Sequence, residues 1–375
     1  MPGRSYRIAR IAGIPVGVSP WWLVIVVLFT YAVGSAYFPE VVHGISRPAA
    51  YALGLASVLL LFLSILAHEF GHAIVARRHG IEVEEIDLWL LGGVSRMRGE
   101  AHTPEDELRY AIAGPAVTAV IAACFAIAAA LLPASTPPAL MALIEYQVYV
   151  NVAILILNML PAFPLDGGRV LRSILWRRSG QLQAATETAA SVGRAFGYVM
   201  IVLGVLEFLA GAPLGLWFSV IGVFIVVAAG QQALGAEVEA VLSGVSAREL
   251  MSTPVVAIAD STPLDTAAHE YFMPYRYASF PVVDAAGHAV GIISVSHLHP
   301  SLYAHAQGRN VGELADRDAS LLVHEDDDVA KLLAEPAFSR IGRAVVVDAA
   351  GAPVGLLSIT DVQHALRAAR LARAT

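Results

Sequence analysis

His68-Glu69-Phe70-Gly71-His72 closes a run in which no residue from Pro48 to Ala67 is charged. A run of that length reads as a membrane helix, and ionisable groups at membrane depth are costly enough to be functional by default. Residues four apart share a helix face, so His68 and His72 can offer two imidazole nitrogens to one metal ion while Glu69 sits beside the open coordination position. The spacing points to metal-assisted hydrolysis, and the setting makes it water chemistry inside a bilayer.

A catalytic zinc site needs a third protein ligand, with the fourth position left for water. Asp166 offers it, in Asn158-Met159-Leu160-Pro161-Ala162-Phe163-Pro164-Leu165-Asp166-Gly167-Gly168, where an uncharged run from Tyr146 ends in a lone carboxylate. Pro161 and Pro164 unwind the backbone locally, which is tolerable at that depth only against protein or a wet cavity. Gly167-Gly168 permits tight turning behind the ligand. Each half has a plainer reading: HExxH on a surface helix, and Asp166 as the cap of a helix from Gly168 to Trp176. Their matching depth joins them. His43, His79 and His102 fall in loops and are expected to be solvated rather than ligating.

The chain has 375 residues, 57% of them hydrophobic and only 15% charged, which describes an integral membrane protein with a more polar appendage. Charges are sparse up to Gly235 and reach ordinary soluble density from Glu237 onward. The expected division is therefore a membrane domain over 1–235, a linker over 236–244 and a soluble domain over 245–375. The single cysteine, Cys124, excludes an intrachain disulfide and a cysteine-rich zinc site. A net charge of -7 without a basic stripe leaves nucleic-acid binding unsupported.

About six apolar stretches are long enough to span: Pro20 to Phe38, Ala50 to Arg77, Arg109 to Leu132, Ala139 to Pro161, Ala190 to Ala210 and Leu214 to Gln232. Arg4, Arg7 and Arg10 precede the first span, Arg77 and Arg78 close the second, and Arg169, Arg172, Arg177 and Arg178 follow the fourth. The outer loops offer only Arg47, and Gly211-Ala212-Pro213 makes an uncharged turn. Both termini are thus expected in the cytoplasm, in a multi-pass protein of the plasma membrane. Between the second and third spans, Val83, Ile86, Leu88 and Leu90, broken by Gly92-Gly93, suggest a short β-hairpin. It reads equally as a plain cytoplasmic loop or as an edge strand on which an extended substrate pairs through its backbone.

These motifs resemble the site-2 protease family of intramembrane zinc metalloproteases. His68-Glu69-Phe70-Gly71-His72 fits the family's HExGH, and Asn158 through Gly168 fits its N-x-x-P-x-x-P-x-D-G element, in the right order and on the expected spans. Ala113-Gly114-Pro115 is similar to the Gly-Pro turn of the third core helix, departing where Thr118 stands in a place relatives often fill with Asn. Gly13-Ile14-Pro15-Val16 and Pro20-Trp21-Trp22 are similar to the N-terminal arm. The resemblance covers residues 7 to 235. It implies that His68, His72 and Asp166 bind one zinc ion and that Glu69 is the general base. Asn158 is a candidate donor to the developing oxyanion or to substrate backbone. The implied substrate is a transmembrane segment of another membrane protein, such as a bacterial anti-sigma factor, cut after a prior extracytoplasmic cleavage.

The soluble part holds an internal repeat. Pro281 to Ser294 aligns with Val345 to Ser358, each half reading as strand, Asp-Ala-Ala-Gly turn, strand and helix. Val245 to Pro254 and Val311 to Asp318 are matching lead-ins. The pattern resembles a tandem pair of cystathionine-β-synthase-type (CBS) domains, about 245–305 and 306–370, an α/β module. Such pairs imply an adenosine nucleotide as ligand and allow a homodimer through the pair. Ser358-Ile359-Thr360-Asp361 matches the ribose-binding pattern, with Ser358 and Asp361 as the hydroxyl and carboxylate. The first repeat has Ser294-Val295-Ser296-His297, with His297 in the carboxylate's place, so one intact site is expected at most. A scaffold module with no ligand remains open, since fold does not imply function.

Two other function classes fit the spans. A CBS-regulated transporter or channel with a metal site predicts polar residues along a transmembrane path, whereas these spans carry only Glu145, Arg194 and Glu207 besides the cluster. A non-catalytic membrane scaffold leaves Glu69 without a purpose.

Overall fold

The computed structural model describes residues 5–89, 92–98, 101–212, 214–298 and 308–374. Arg4, Leu90 and Pro213, and the side chain of His297, lie outside the described residues. Contacts divide the chain into two compact units, at Leu234 and Gly235.

In the first unit, strands β1 (Tyr6–Ile11) and β2 (Ile14–Val18) precede helix α1 (Pro20–Val41). Helix α2 (Arg47–Arg78) leads into β3 (Glu82–Trp89) and β4 (Gly92–Arg98). Helices α3 (Pro104–Leu131), α4 (Pro138–Asn158), α5 (Asp166–Ser179), α6 (Leu182–Leu209) and α7 (Leu214–Leu242) follow. Six of these, all but α5, are long and apolar enough to cross a bilayer. With no water in hydrocarbon to satisfy the backbone, a spanning segment must close its hydrogen bonds within itself, which is why such runs are helical. Leu131 and Leu209 are 79% and 75% exposed, a surface that suits lipid and not water.

Small residues bring the helices together, as expected where lipid removes the hydrophobic drive to associate. A Cβ on Gly71 of α2 would lie 2.8 Å from the Ala113 carbonyl of α3, and one on Gly197 of α6 would lie 2.8 Å from the Gly222 carbonyl of α7. Gln147 of α4 is buried and donates to the Ser57 carbonyl of α2 at 3.0 Å.

The expected β3–β4 hairpin is present, pairing from Glu82 opposite Arg98 to Trp89 opposite Gly92. It belongs to a larger sheet in the order β1-β2-β3-β4, in which β2 pairs parallel with β3. Ala12 and Gly13 both adopt positive φ, the two-residue turn that suits an antiparallel hairpin, and Arg77 clamps it by donating to the Ala12 carbonyl at 2.7 Å. Ile14 and Ile86 pack on Ala73, so the sheet is fixed against the C-terminal end of α2, just past the histidines.

In the second unit, β5 (Ile258–Ala259), β6 (Ser279–Val283) and β7 (Ala289–Ser294) form one sheet, and β8 (Leu322–His324), β9 (Arg343–Val347) and β10 (Pro353–Ser358) form another, followed by α8 (Ile359–Ala374). Each sheet pairs its first two strands parallel and its last two antiparallel. The turns match to the atom. Asp284 Oδ1 accepts from the backbone of Ala286 and His288, and Asp348 Oδ1 from Ala350 and Ala352, all at 2.9 Å. Gly287 and Gly351 supply φ of 88° and 85° there. Each lead-in carries a capping box, Ser246 with Glu249 and Asn310 with Glu313. The Ser246 backbone N–H holds Glu249 below the ordinary carboxylate range, as that of Asn310 does Glu313.

The stretch 236–244, expected as a linker, is helical as far as Leu242. Val238, Val241 and Leu242 fall at helical spacing and pack into the core around Val346 and Leu357, so the end of α7 is part of the second unit's fold.

Candidate metal centre

The buried face of α2 runs through Gly54, Ser57, Leu61, Ser64, His68, Gly71 and His72 at intervals of three and four. His68 and His72 thereby point together, their Nε2 atoms 3.1 Å apart. Asp166 meets both, with Oδ2 3.1 Å from His68 Nε2 and Oδ1 3.2 Å from His72 Nε2. Asp166 is the first residue of α5, with Leu165 as the N-cap, so its carboxylate is not spent on capping. Gly167 and Gly168 lie inside that helix, where a Cβ on Gly168 would come within 2.5 Å of the Phe163 backbone nitrogen. Their role is close approach of helix and preceding loop rather than the turn itself.

The outer nitrogens are held by α3. His72 Nδ1 lies 2.8 Å from the Tyr110 carbonyl and His68 Nδ1 2.8 Å from Thr118 Oγ1. A carbonyl only accepts, so His72 carries a proton on Nδ1, and the neutral ring then has its Nε2 lone pair free for a metal. Nε2 faces a carboxylate oxygen and another imidazole nitrogen, a donor set that suits a metal cation. Tetrahedral zinc with ligands at its usual distances sets neighbouring donor atoms about 3.3 Å apart, close to the spacings here. The three residues therefore fit the ion. Hydrogen-bonded outer nitrogens are also the ordinary way of orienting metal-ligating histidines.

Three contacts of this shell, as contacts, come only from the packing of distant elements. Thr118, which departs from the expected Asn, is itself the partner of His68. Gly114 is required because a Cβ there would overlap His72 Nε2 and lie 2.6 Å from His68 Nε2. Arg172 of α5 and Glu107 of α3, only 5% and 1% exposed, form a close ion pair in which Nε and Nη2 both reach Glu107 Oε1, tying the Asp166 helix to the helix whose Tyr110 and Thr118 hold the histidines. Arg169 stacks on the Tyr110 ring at 5.2 Å and Ser173 donates to the Pro104 carbonyl at 2.9 Å, reinforcing the same junction.

Glu69 is half-buried, and its Oε2 accepts from Ser95 of β4 at 2.6 Å. Asn158, the last residue of α4, is half-buried, and no hydrogen bond to its side chain is seen among the described residues.

In the second unit, Ser358 Oγ donates to Asp361 Oδ2 at 2.6 Å, and the Ser252 hydroxyl reaches Asp361 Oδ1 at 3.2 Å. These residues line a cleft of about 610 Å³ that both repeats build, with Tyr275, Arg276, Tyr277 and Arg343 on its walls.

Peptidase family M50 matches residues 56–137 and 134–203, and the CBS domain family matches residues 247–300. A Mycobacterium tuberculosis protein named "Putative zinc metalloprotease Rip3" is 33% identical over 98% of this chain and 94% of its own. Zinc metalloprotease MJ0392 of Methanocaldococcus jannaschii is 28% identical over 82% of this chain and 84% of its own. The solved site-2 protease from Methanocaldococcus jannaschii is 27% identical, with a TM-score of 0.42 over 61% of this chain and 95% of that one. The chain accordingly belongs to peptidase family M50, the site-2 protease family, as a multi-pass zinc metalloprotease with a C-terminal CBS module.

Proposed function

We propose that the protein performs regulated intramembrane proteolysis, cutting a peptide bond in or near a transmembrane segment of another membrane protein. The supporting observation is the convergence of His68, His72 and Asp166 from two helices onto one point. In this reading these three hold the ion and Glu69 is the general base. Zinc, when bound, supplies Lewis acidity and brings the pKa of the attacking water to about 7. Glu69 takes that water's proton as it attacks the scissile carbonyl and returns it to the leaving amine. Asn158, at the start of the loop that carries Asp166, donates to the oxyanion or to substrate backbone.

Helical peptide bonds resist attack because their carbonyls are sequestered, so the substrate must unwind. The outer edge of β4, at the end of the sheet order, is where an extended segment can pair through its backbone. The arginine distribution supports cytoplasmic termini, with the peptidase domain in 1–235 and the CBS pair in 245–375. A substrate trimmed beforehand outside the cell, of the anti-sigma factor kind, fits that orientation. The Ser358–Asp361 cleft takes an adenosine nucleotide as regulatory ligand, and the CBS pair is the surface for a homodimer.

The test is E69Q in the full chain. It should retain zinc at the wild-type stoichiometry, stop cleavage, and trap the substrate for identification by co-purification. Wild-type cleavage by E69Q overturns the reading.

A further inference from the structure

Two residues of β4 touch Glu69, and neither belongs to the metal-binding motifs. Ser95 Oγ donates to Glu69 Oε2 at 2.6 Å. A Cβ on Gly93 would lie 2.5 Å from Glu69 Cγ and 3.1 Å from both Cδ and Oε1. Residues two apart share a strand face, so Gly93 and Ser95 present one surface to this carboxylate, the first by having no side chain and the second by its hydroxyl. That surface is rigidly referenced to α2. Ser95 pairs with Ile86, which is buried against Ala73, the residue after His72.

We propose that Gly93 and Ser95 are positioning residues for the general base, an assignment that rests on Glu69 having that role. A glutamate side chain has three free torsions, and nothing in the helix itself fixes where its carboxylate points. Ser95 holds Oε2 and so leaves Oε1 as the atom that receives the water proton. The water O–H breaks as the Oε1–H bond forms, the proton passes to the leaving amine, and Ser95 keeps its own hydroxyl proton throughout. Gly93 keeps the space that this rotamer needs. Because β4 is also the sheet's free edge, the strand that aligns the base is the one an extended substrate would join.

The experiment uses the full-length zinc-loaded protein in detergent and an apolar peptidyl hydroxamate, which chelates zinc through its two oxygens and gives its hydroxyl proton to the base. Affinity is read by calorimetry, with no turnover required, and zinc content is measured in parallel. S95A should weaken the hydroxamate about tenfold, the scale of a lost hydrogen bond to a charged group, with zinc content unchanged. S95T, which restores a hydroxyl, should recover most of that affinity. E69Q should weaken binding as well, and adding S95A to it should cost nothing more, since both act through one carboxylate. Wild-type affinity in S95A, additive losses in the double variant, or zinc lost from S95A would each overturn the proposal. Wild-type affinity in E69Q would instead overturn the base assignment beneath it.

Discussion

The His68–His72–Asp166 cluster of the first unit and the Ser358–Asp361 group of the second are polar clusters built on opposite lines. In the first, Nε2 of His68, Nε2 of His72 and both Asp166 oxygens face one another, and the Nδ1 atoms are already engaged. In the second, the Ser358 hydroxyl and backbone N–H both donate to Asp361, so the group is satisfied by its own members. Donor atoms turned toward one another suit a cation between them, whereas a self-satisfied group can gain or lose a ligand without disturbing the fold. The His68–His72–Asp166 cluster therefore leaves its donor atoms turned toward a common point, whereas the Ser358–Asp361 group closes on itself.

That contrast is broken or sharpened by five substitutions. D166A and G114A should have the largest effect. The first deletes a ligand and the second places a methyl against both ligating nitrogens, so each should lose zinc on dialysis and lose cleavage with it, as read by metal analysis and substrate processing. Retained zinc in D166A would mean that the carboxylate is not a ligand. R172A comes next. It removes one partner of a buried ion pair and should cost about 3–5 kcal/mol, seen as a lower thermal midpoint in detergent. T118V removes only the partner of His68 Nδ1 and should weaken zinc affinity about 10- to 100-fold while leaving the fold intact, measured by competition with a chelator. D361A should be the mildest, lowering adenosine nucleotide affinity about tenfold with zinc content and thermal midpoint unchanged. A fall in zinc content in D361A would contradict the independence of the two clusters.

The β-sheet shows where local reading stops. Glu82 to Arg98 announces a hairpin through alternation and Gly92-Gly93, because both strands and their turn lie in one short segment. The parallel pairing of Val16 with Ile86 joins segments about seventy residues apart, and nothing in either stretch encodes the other. The linker differs for the reverse reason. Rising charge after Glu237 marks a change of solvent, but Val238, Val241 and Leu242 continue the helical period regardless, and the helix follows the period.

What the sequence determined by itself is whatever a short window can carry: six apolar runs of spanning length, the i and i+4 histidines with Glu69 between them, the lone carboxylate of Asp166, and the repeated Asp-Ala-Ala-Gly turns. These are legible because periodicity, hydropathy and turn chemistry act between residues close in the chain. What only the tertiary structure decided is the set of partners brought in from elsewhere: Thr118 and the Tyr110 carbonyl on the histidines, Gly114 beneath them, Ser95 on Glu69, and Arg172 on Glu107. Each is an ordinary residue in an ordinary helix or strand. It acquires its role when packing sets two distant backbones a few ångströms apart, and no pattern along the chain records that distance.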